Sequence, residues 1–146
     1  MIENTKTIKQ LDDLTCGVAC AAMIARTTFD IAMKAIKPHP KGGYNSIEIA
    51  KFLLAHNILI GGSCFGFEDD SELDLYPGAK VVWWFDPAMT ELLLGVKSER
   101  FPGKEHWIYW DKKNVHDPSP VVDDVNRSLK DYHITTAGPI QRLETE

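Results

Sequence analysis

At 146 residues the chain is long enough to bury a core without staples. It reads as a single domain over 1–146, with its core over about 8–136 and a polar C-terminal tail. Forty-four per cent hydrophobic and 25% charged residues make an ordinary soluble balance, and a net charge of -5 with scattered Lys and Arg argues against a nucleic-acid footprint. The opening MIENTKTIKQ lacks an apolar signal core, and no run approaches the ~18 apolar residues of a membrane span. The expectation is therefore a chain of the reducing cytoplasm with no membrane insertion.

The first element in chain order follows QLDDLT. Thr15 can cap a helix from Cys16 to about Thr27, with apolar surface from Val18, Ala19, Ala22, Met23 and Ala25. A second amphipathic stretch, FDIAMKAIK, stops at Pro38, and a polar loop HPKGGYN follows. Asn45 with Glu48 resembles a capping pair for SIEIAKFLLAH, which ends near Asn57. ILI at 58–60 reads as a short strand ended by Gly61 and Gly62, and EDDSELD as a solvated acidic loop. AKVVWWF is strand-like up to Asp86-Pro87, which can open a short helix through MTELLL.

HWIYW, the polar turn DKKN and VHDP read as a hairpin. DDVNRSLKDY is predicted as a late helix, YHITT as a last strand and QRLETE as a fraying tail. Helices come first and strands later, which predicts an α+β class with the helices packed on an antiparallel sheet.

Three cysteines cannot all pair, so Cys16, Cys20 and Cys64 read as free thiols. Cys16 stands where the first helix begins. There the first-turn N–H groups and the helix dipole favour negative charge, as a thiolate nucleophile needs. Gly17 lets backbone approach a bound carbonyl, and Gln10, six residues upstream, can supply a side-chain amide to an oxyanion. The plainer reading is that Cys16 is a small core residue on an alanine-rich helix. Cys20, one turn further on, reads as structural, and a CxxxC pair without a second pair is a weak zinc signal, so neither metal nor cofactor is expected.

A cysteine nucleophile works beside an imidazole held by a third group. Of five histidines, His39, His56 and His133 read as structural. The hairpin separates the other two. With DKKN as the loop, Trp110 faces Val115 and Ile108 faces Asp117. Alternation then places His106, Ile108 and Asp117 on one face, with Asp117 diagonal to His106 and His116 on the other face beside Tyr109. The four tryptophans read as core, or as a groove wall at Trp83 or Trp84, with Trp107 on the face away from His106.

Taken together, QLDDLTCGVAC, HWIYWDKKNVHDP and the order Gln, Cys, His, Asp resemble the papain-like cysteine peptidases, most of all the bacterial double-glycine leader peptidases. GGYNSIEIAKFLLAHNI also looks like the helix that follows the nucleophile helix in that family, so the likeness spans roughly residues 8 to 120. The resemblance implies a papain-like fold and a thiol hydrolase that cleaves a peptide or isopeptide amide. Cys16 is then the nucleophile, His106 the acid–base, Asp117 the orienting acid and Gln10 the oxyanion donor. Its implied partner is a peptide or protein substrate. The competing class is a non-catalytic papain-like module that binds such a partner, and a third is an effector that occludes through the acidic loop 68–74.

Overall fold

The computed structural model describes residues 6–12, 14–38, 40, 44, 46–61, 65–67, 81–83, 86–101, 103–122 and 127–143. Cys64, His39, Asn45, Trp84 and the acidic loop lie outside these residues.

The α+β order expected from the sequence is the order observed. Three helices, α1 (Cys16–Ala25), α2 (Phe29–Ala35) and α3 (Ser46–Ala55), precede all of the strands. The strands are β1 (Ile58–Ile60), β2 (Phe65–Phe67), β3 (Val81–Trp83), β4 (Leu92–Lys97), β5 (Glu105–Trp110), β6 (Val115–His116) and β7 (Ile134–Arg142). Five of them form one sheet in the order β1-β7-β4-β5-β6, and β2 pairs with β3 alone. Every pairing is antiparallel.

Helix α1 is the hub. Cys16 through Ile24 are all buried, because the helix is covered by α2, α3 and β5. A helix that is apolar all round belongs in a core rather than on a surface. Its small residues let these neighbours come close. A Cβ on Gly17 would lie 2.6 Å from Ile49 Cδ1 of α3 and 3.5 Å from Trp107 Cδ1 of β5. Gly17 therefore makes room for packing. The helix ends on Arg26, whose φ of 57° turns the chain left-handed while its N–H reaches the Ala22 and Met23 carbonyls.

Four readings of the sequence are corrected here. MTELLL does not continue the turn at Pro87. A single 3-10 turn spans Pro87–Met89, and Leu92, Leu93 and Leu94 enter β4. Leucine favours helices, but β4 lies between β7 and β5 and is buried on both faces, and that burial overrides local propensity. The late helix predicted over DDVNRSLKDY is, among the described residues, only a 3-10 turn at Leu129–Asp131, closed by a Ser128/Asp131 capping box.

The third correction concerns the C-terminal end. Gly138-Pro139 looks like a strand stop, yet β7 runs through it to Arg142 and pairs with β1 and β4. Ile140 is part of the core, so the core extends past residue 136 and the expected tail is in part a central strand. Arg142 forks onto the Glu91 carboxylate at 2.8 and 2.9 Å, and Tyr109 hydroxyl bonds the same group. The fourth concerns Thr15, which precedes α1 but makes no side-chain cap. Its φ and ψ of -108° and 17° are not extended, and its hydroxyl turns back to accept from the Leu11 and Asp12 N–H groups at 3.0 and 3.1 Å.

Candidate active site

The hairpin register read from the sequence is the register of the fold: Tyr109 pairs with His116 and Trp110 with Val115. The ladder then stops, and Asp117 leaves the strand. Its Oδ1 accepts from the Ser119 N–H at 2.9 Å, the Asx-type turn that Asp-Pro-Ser favours. That turn aims the carboxylate back across the hairpin, where Oδ1 also meets His106 Nε2 at 2.6 Å. Oδ2 accepts from the Tyr132 hydroxyl at 2.7 Å.

With Nε2 on Asp117, Nδ1 is the ring nitrogen left free of that bond, and the Cys16 thiol at the start of α1 lines the same cleft and favours the charged ring. Burial by itself disfavours the charged ring. Hydrogen bonds to Asp117 and Cys16, and then their charges, outweigh that and raise the His106 pKa to about 9. Burial likewise acts to raise the Asp117 pKa, but the bond and charge of His106 and the Tyr132 and Ser119 donors hold it below the ordinary carboxylate range. The pair is therefore an ion pair at neutral pH. Burial pushes the Cys20 thiol well up, helped by the charges of Cys16 and Asp117, so the deeper cysteine stays protonated.

Gln10 reaches the same place from the N-terminal segment. Its N–H donates to the Pro118 carbonyl at 2.8 Å, which ties this segment to the turn that carries Asp117. The side-chain Nε2 donates to the Asp12 carbonyl at 2.8 Å, within the loop that Thr15 organises. An amide nitrogen has two hydrogens, so one remains. Among the described residues no donor meets the buried Oε1.

Gln10, Cys16, His106 and Asp117 all line one cleft of about 390 Å³. Leu14 and Phe101, both exposed, line it as well. Trp107 also lines it, although strand alternation puts the indole on the opposite side of β5 from His106. Three contributors were not singled out in the sequence. Trp107 was read as facing away, Tyr132 as the end of a helix, and Ser119 was given no part in the site. The Asp-Pro-Ser turn signal could have found Ser119. No local signal connects Tyr132 to a carboxylate fifteen residues earlier.

His116 is not part of this cleft. It is buried, its Nε2 lies 2.7 Å from Asp111 Oδ2, its Nδ1 lies 2.7 Å from Thr7 Oγ1, and its ring stacks on Tyr109. His56 caps α3 through Nδ1 and the Phe52 carbonyl at 3.0 Å.

No protein-family model matches the chain, and no curated protein matches it either. Among solved structures it is similar to a double glycine motif protease from an AMS/PCAT transporter, crystallised in complex with the leader peptide. The two align with a TM-score of 0.58 over 96% of this chain and 93% of the other, at 12% identity. The chain therefore has the papain-like α+β fold of that protease.

Proposed function

We propose that this protein is a papain-like thiol hydrolase that cleaves a peptide amide bond, with Cys16 as nucleophile. The observation that carries this reading is the convergence of Cys16, at a helix N-terminus, with the hydrogen-bonded His106–Asp117 pair in one cleft. In the first step the Cys16 thiolate attacks the amide carbonyl carbon and the carbonyl π pair moves to oxygen. The Cys16 N–H and the remaining Gln10 amide hydrogen are the donors available to that oxyanion. On collapse the C–N bond breaks, and imidazolium His106 gives its proton to the leaving amine. Water then attacks the thioester as His106 takes its proton, the acid departs, and the thiolate–imidazolium pair is restored.

Asp117 stays ionised throughout and keeps the ring turned toward sulfur, as an orienting carboxylate does in other triads. The similar protease was crystallised with a peptide, which supports an extended peptide as the ligand of this cleft. Isopeptides present the same reacting group. The test is selective alkylation. Cys16 should react with iodoacetamide near neutral pH far faster than Cys20, and a Cys16→Ser protein should retain a bound peptide without cutting it. Equal reactivity of the two thiols would remove the nucleophile from the proposal.

A further inference from the structure

In the catalytic chain proposed above, the acid is itself held, and the group that holds it is a tyrosine. Rotation of a carboxylate about its last torsion is soft, so one bond does not fix its plane. Asp117 Oδ1 carries His106 Nε2 and the Ser119 N–H, while Oδ2 accepts from the Tyr132 hydroxyl at 2.7 Å. Tyr132 comes from a different part of the chain, just after the 3-10 turn Leu129–Asp131. Its ring is backed by the Arg127 guanidinium, 5.4 Å from the ring centroid. Arg127 is held in turn by both oxygens of Glu99, at 2.6 and 3.2 Å, in the segment that follows β4.

We propose that Tyr132 is a positioning residue of the site, whose hydroxyl fixes the Asp117 carboxylate with Oδ1 on His106. This rests on the reading of Cys16, His106 and Asp117 as one catalytic unit. Burial raises the Tyr132 pKa, and the charge and hydrogen bond of Asp117 raise it further, so the hydroxyl is a donor over the whole working range. Among the described residues, the charged and titratable groups around the acid are His106 and Tyr132 in contact with it, Cys16 beyond His106, Cys20 one turn deeper in α1, and Arg127 with Glu99 behind Tyr132. The Lys9 ammonium sits on the Asp117 carbonyl at 2.9 Å. A purely structural tyrosine would contribute ring packing, and its hydroxyl would be dispensable to Asp117.

Tyr132→Phe separates these cases, since it keeps the ring and its contact with Arg127. The Asp117 carboxyl carbon is followed by NMR through an acid titration, and Cys16 alkylation by iodoacetamide is timed in the same proteins. Loss of the donor should raise the Asp117 midpoint by about half a unit to one unit, the worth of one hydrogen bond. Tyr132→Phe should slow Cys16 alkylation in the otherwise unaltered protein, yet change it less than about twofold in an Asp117→Asn background, because coupled residues do not add. If Tyr132→Phe does not fold, 3-fluorotyrosine at position 132, a stronger donor of similar size, should move the midpoint downward. An unmoved carboxyl midpoint, or an equal slowing in both backgrounds, overturns the proposal. A His106→Ala protein with an unchanged alkylation profile would overturn the catalytic reading instead, and the carboxyl midpoint would still decide the tyrosine's role.

Discussion

The β5–β6 hairpin carries two histidine–aspartate pairs of nearly equal geometry. His106 Nε2 is 2.6 Å from Asp117, and His116 Nε2 is 2.7 Å from Asp111. What separates them is the second nitrogen of each ring. In His106 it is left for the Cys16 thiol, which lines the same open cleft. In His116 it meets Thr7 Oγ1, under a ring stacked on Tyr109 and with no place in that cleft. One pair has a thiol neighbour and a cleft, while the other has a hydroxyl and burial. A carboxylate beside an imidazole is therefore a structural unit that either a catalytic site or a core can use, and its surroundings decide which.

The largest effect expected from this contrast lies at the cleft. Cys16→Ala or His106→Ala should cut turnover at least about a thousandfold, while His116→Ala should leave the turnover of the folded fraction within a few-fold. Peptide hydrolysis per folded molecule is the measurement, and the reverse pattern would exchange the roles of the two pairs. The pH dependence carries the same signature. The His106 pKa is raised from 6.5 to about 9, so imidazolium is present below that value and is lost as pH rises through it. Turnover should fall about tenfold per unit on the alkaline side of that step. The ion pair's contribution to stability has the same sign: it is full below pH 6.5 and lost between there and about 9. At the acid end Asp117, held low, keeps its contribution until the pH falls below the ordinary carboxylate range. His116→Ala should leave the alkaline step where it is.

Gln10 comes next in size. A donor used only in the transition state, when removed, typically costs about 10²–10³ in kcat with little change in binding. Gln10→Ala should show that split, with Cys16 still readily alkylated. Full turnover in Gln10→Ala would mean that both amide hydrogens serve the loop around Asp12, and that the six-residue interval to Cys16 organises structure alone.

The sealed pair should fail differently. His116→Ala leaves Asp111 and Thr7 without their shared partner and opens a cavity beside Tyr109. A loss of about 1–3 kcal/mol is expected, or a fall in melting temperature of roughly 2–4 °C per kcal/mol. Asp111 keeps the Lys113 and Asn114 N–H groups at 2.9 and 2.6 Å, which limits the damage. Thermal unfolding checks this without any substrate.

How much of this was legible in the sequence follows from where each interaction lies along the chain. The hairpin and its register were readable because alternation and a four-residue polar turn are local signals, and they placed His106 and His116 on opposite faces. The start of α1 was readable for the same reason. β4 was not, because LLLGV is equally a helix or a doubly buried strand until its neighbours are known. The first part of β7 was read in YHITT, but its continuation was hidden by Gly138-Pro139, whose effect depends on which edge the proline presents. Tyr132 and Trp107 were invisible as site residues for a third reason. Their roles come from contacts with α1 or with the Asp-Pro turn, and no periodicity within their own segments encodes those contacts.

The smallest effect tests whether the two pairs are mechanically separate. The N-terminal segment touches both: Thr7 bonds His116, the Gln10 N–H bonds the Pro118 carbonyl, and Lys9 Nζ spans the Asp117 and Val122 carbonyls at 2.9 and 3.0 Å. Lys9→Met keeps the aliphatic stem and removes the ammonium. Its bonds go to backbone oxygens near the surface, so the loss should be a few tenths to about 1 kcal/mol. Asp117 is still held at its carboxylate by Ser119 and Tyr132, so the His106 step near pH 9 should barely move and turnover should fall less than about threefold. Amide exchange should quicken over residues 117–122 and stay unchanged at Asp111 and His116. Faster exchange around both pairs would mean that the segment couples them, and the contrast between an open pair and a sealed one would then describe one connected structure with two ends.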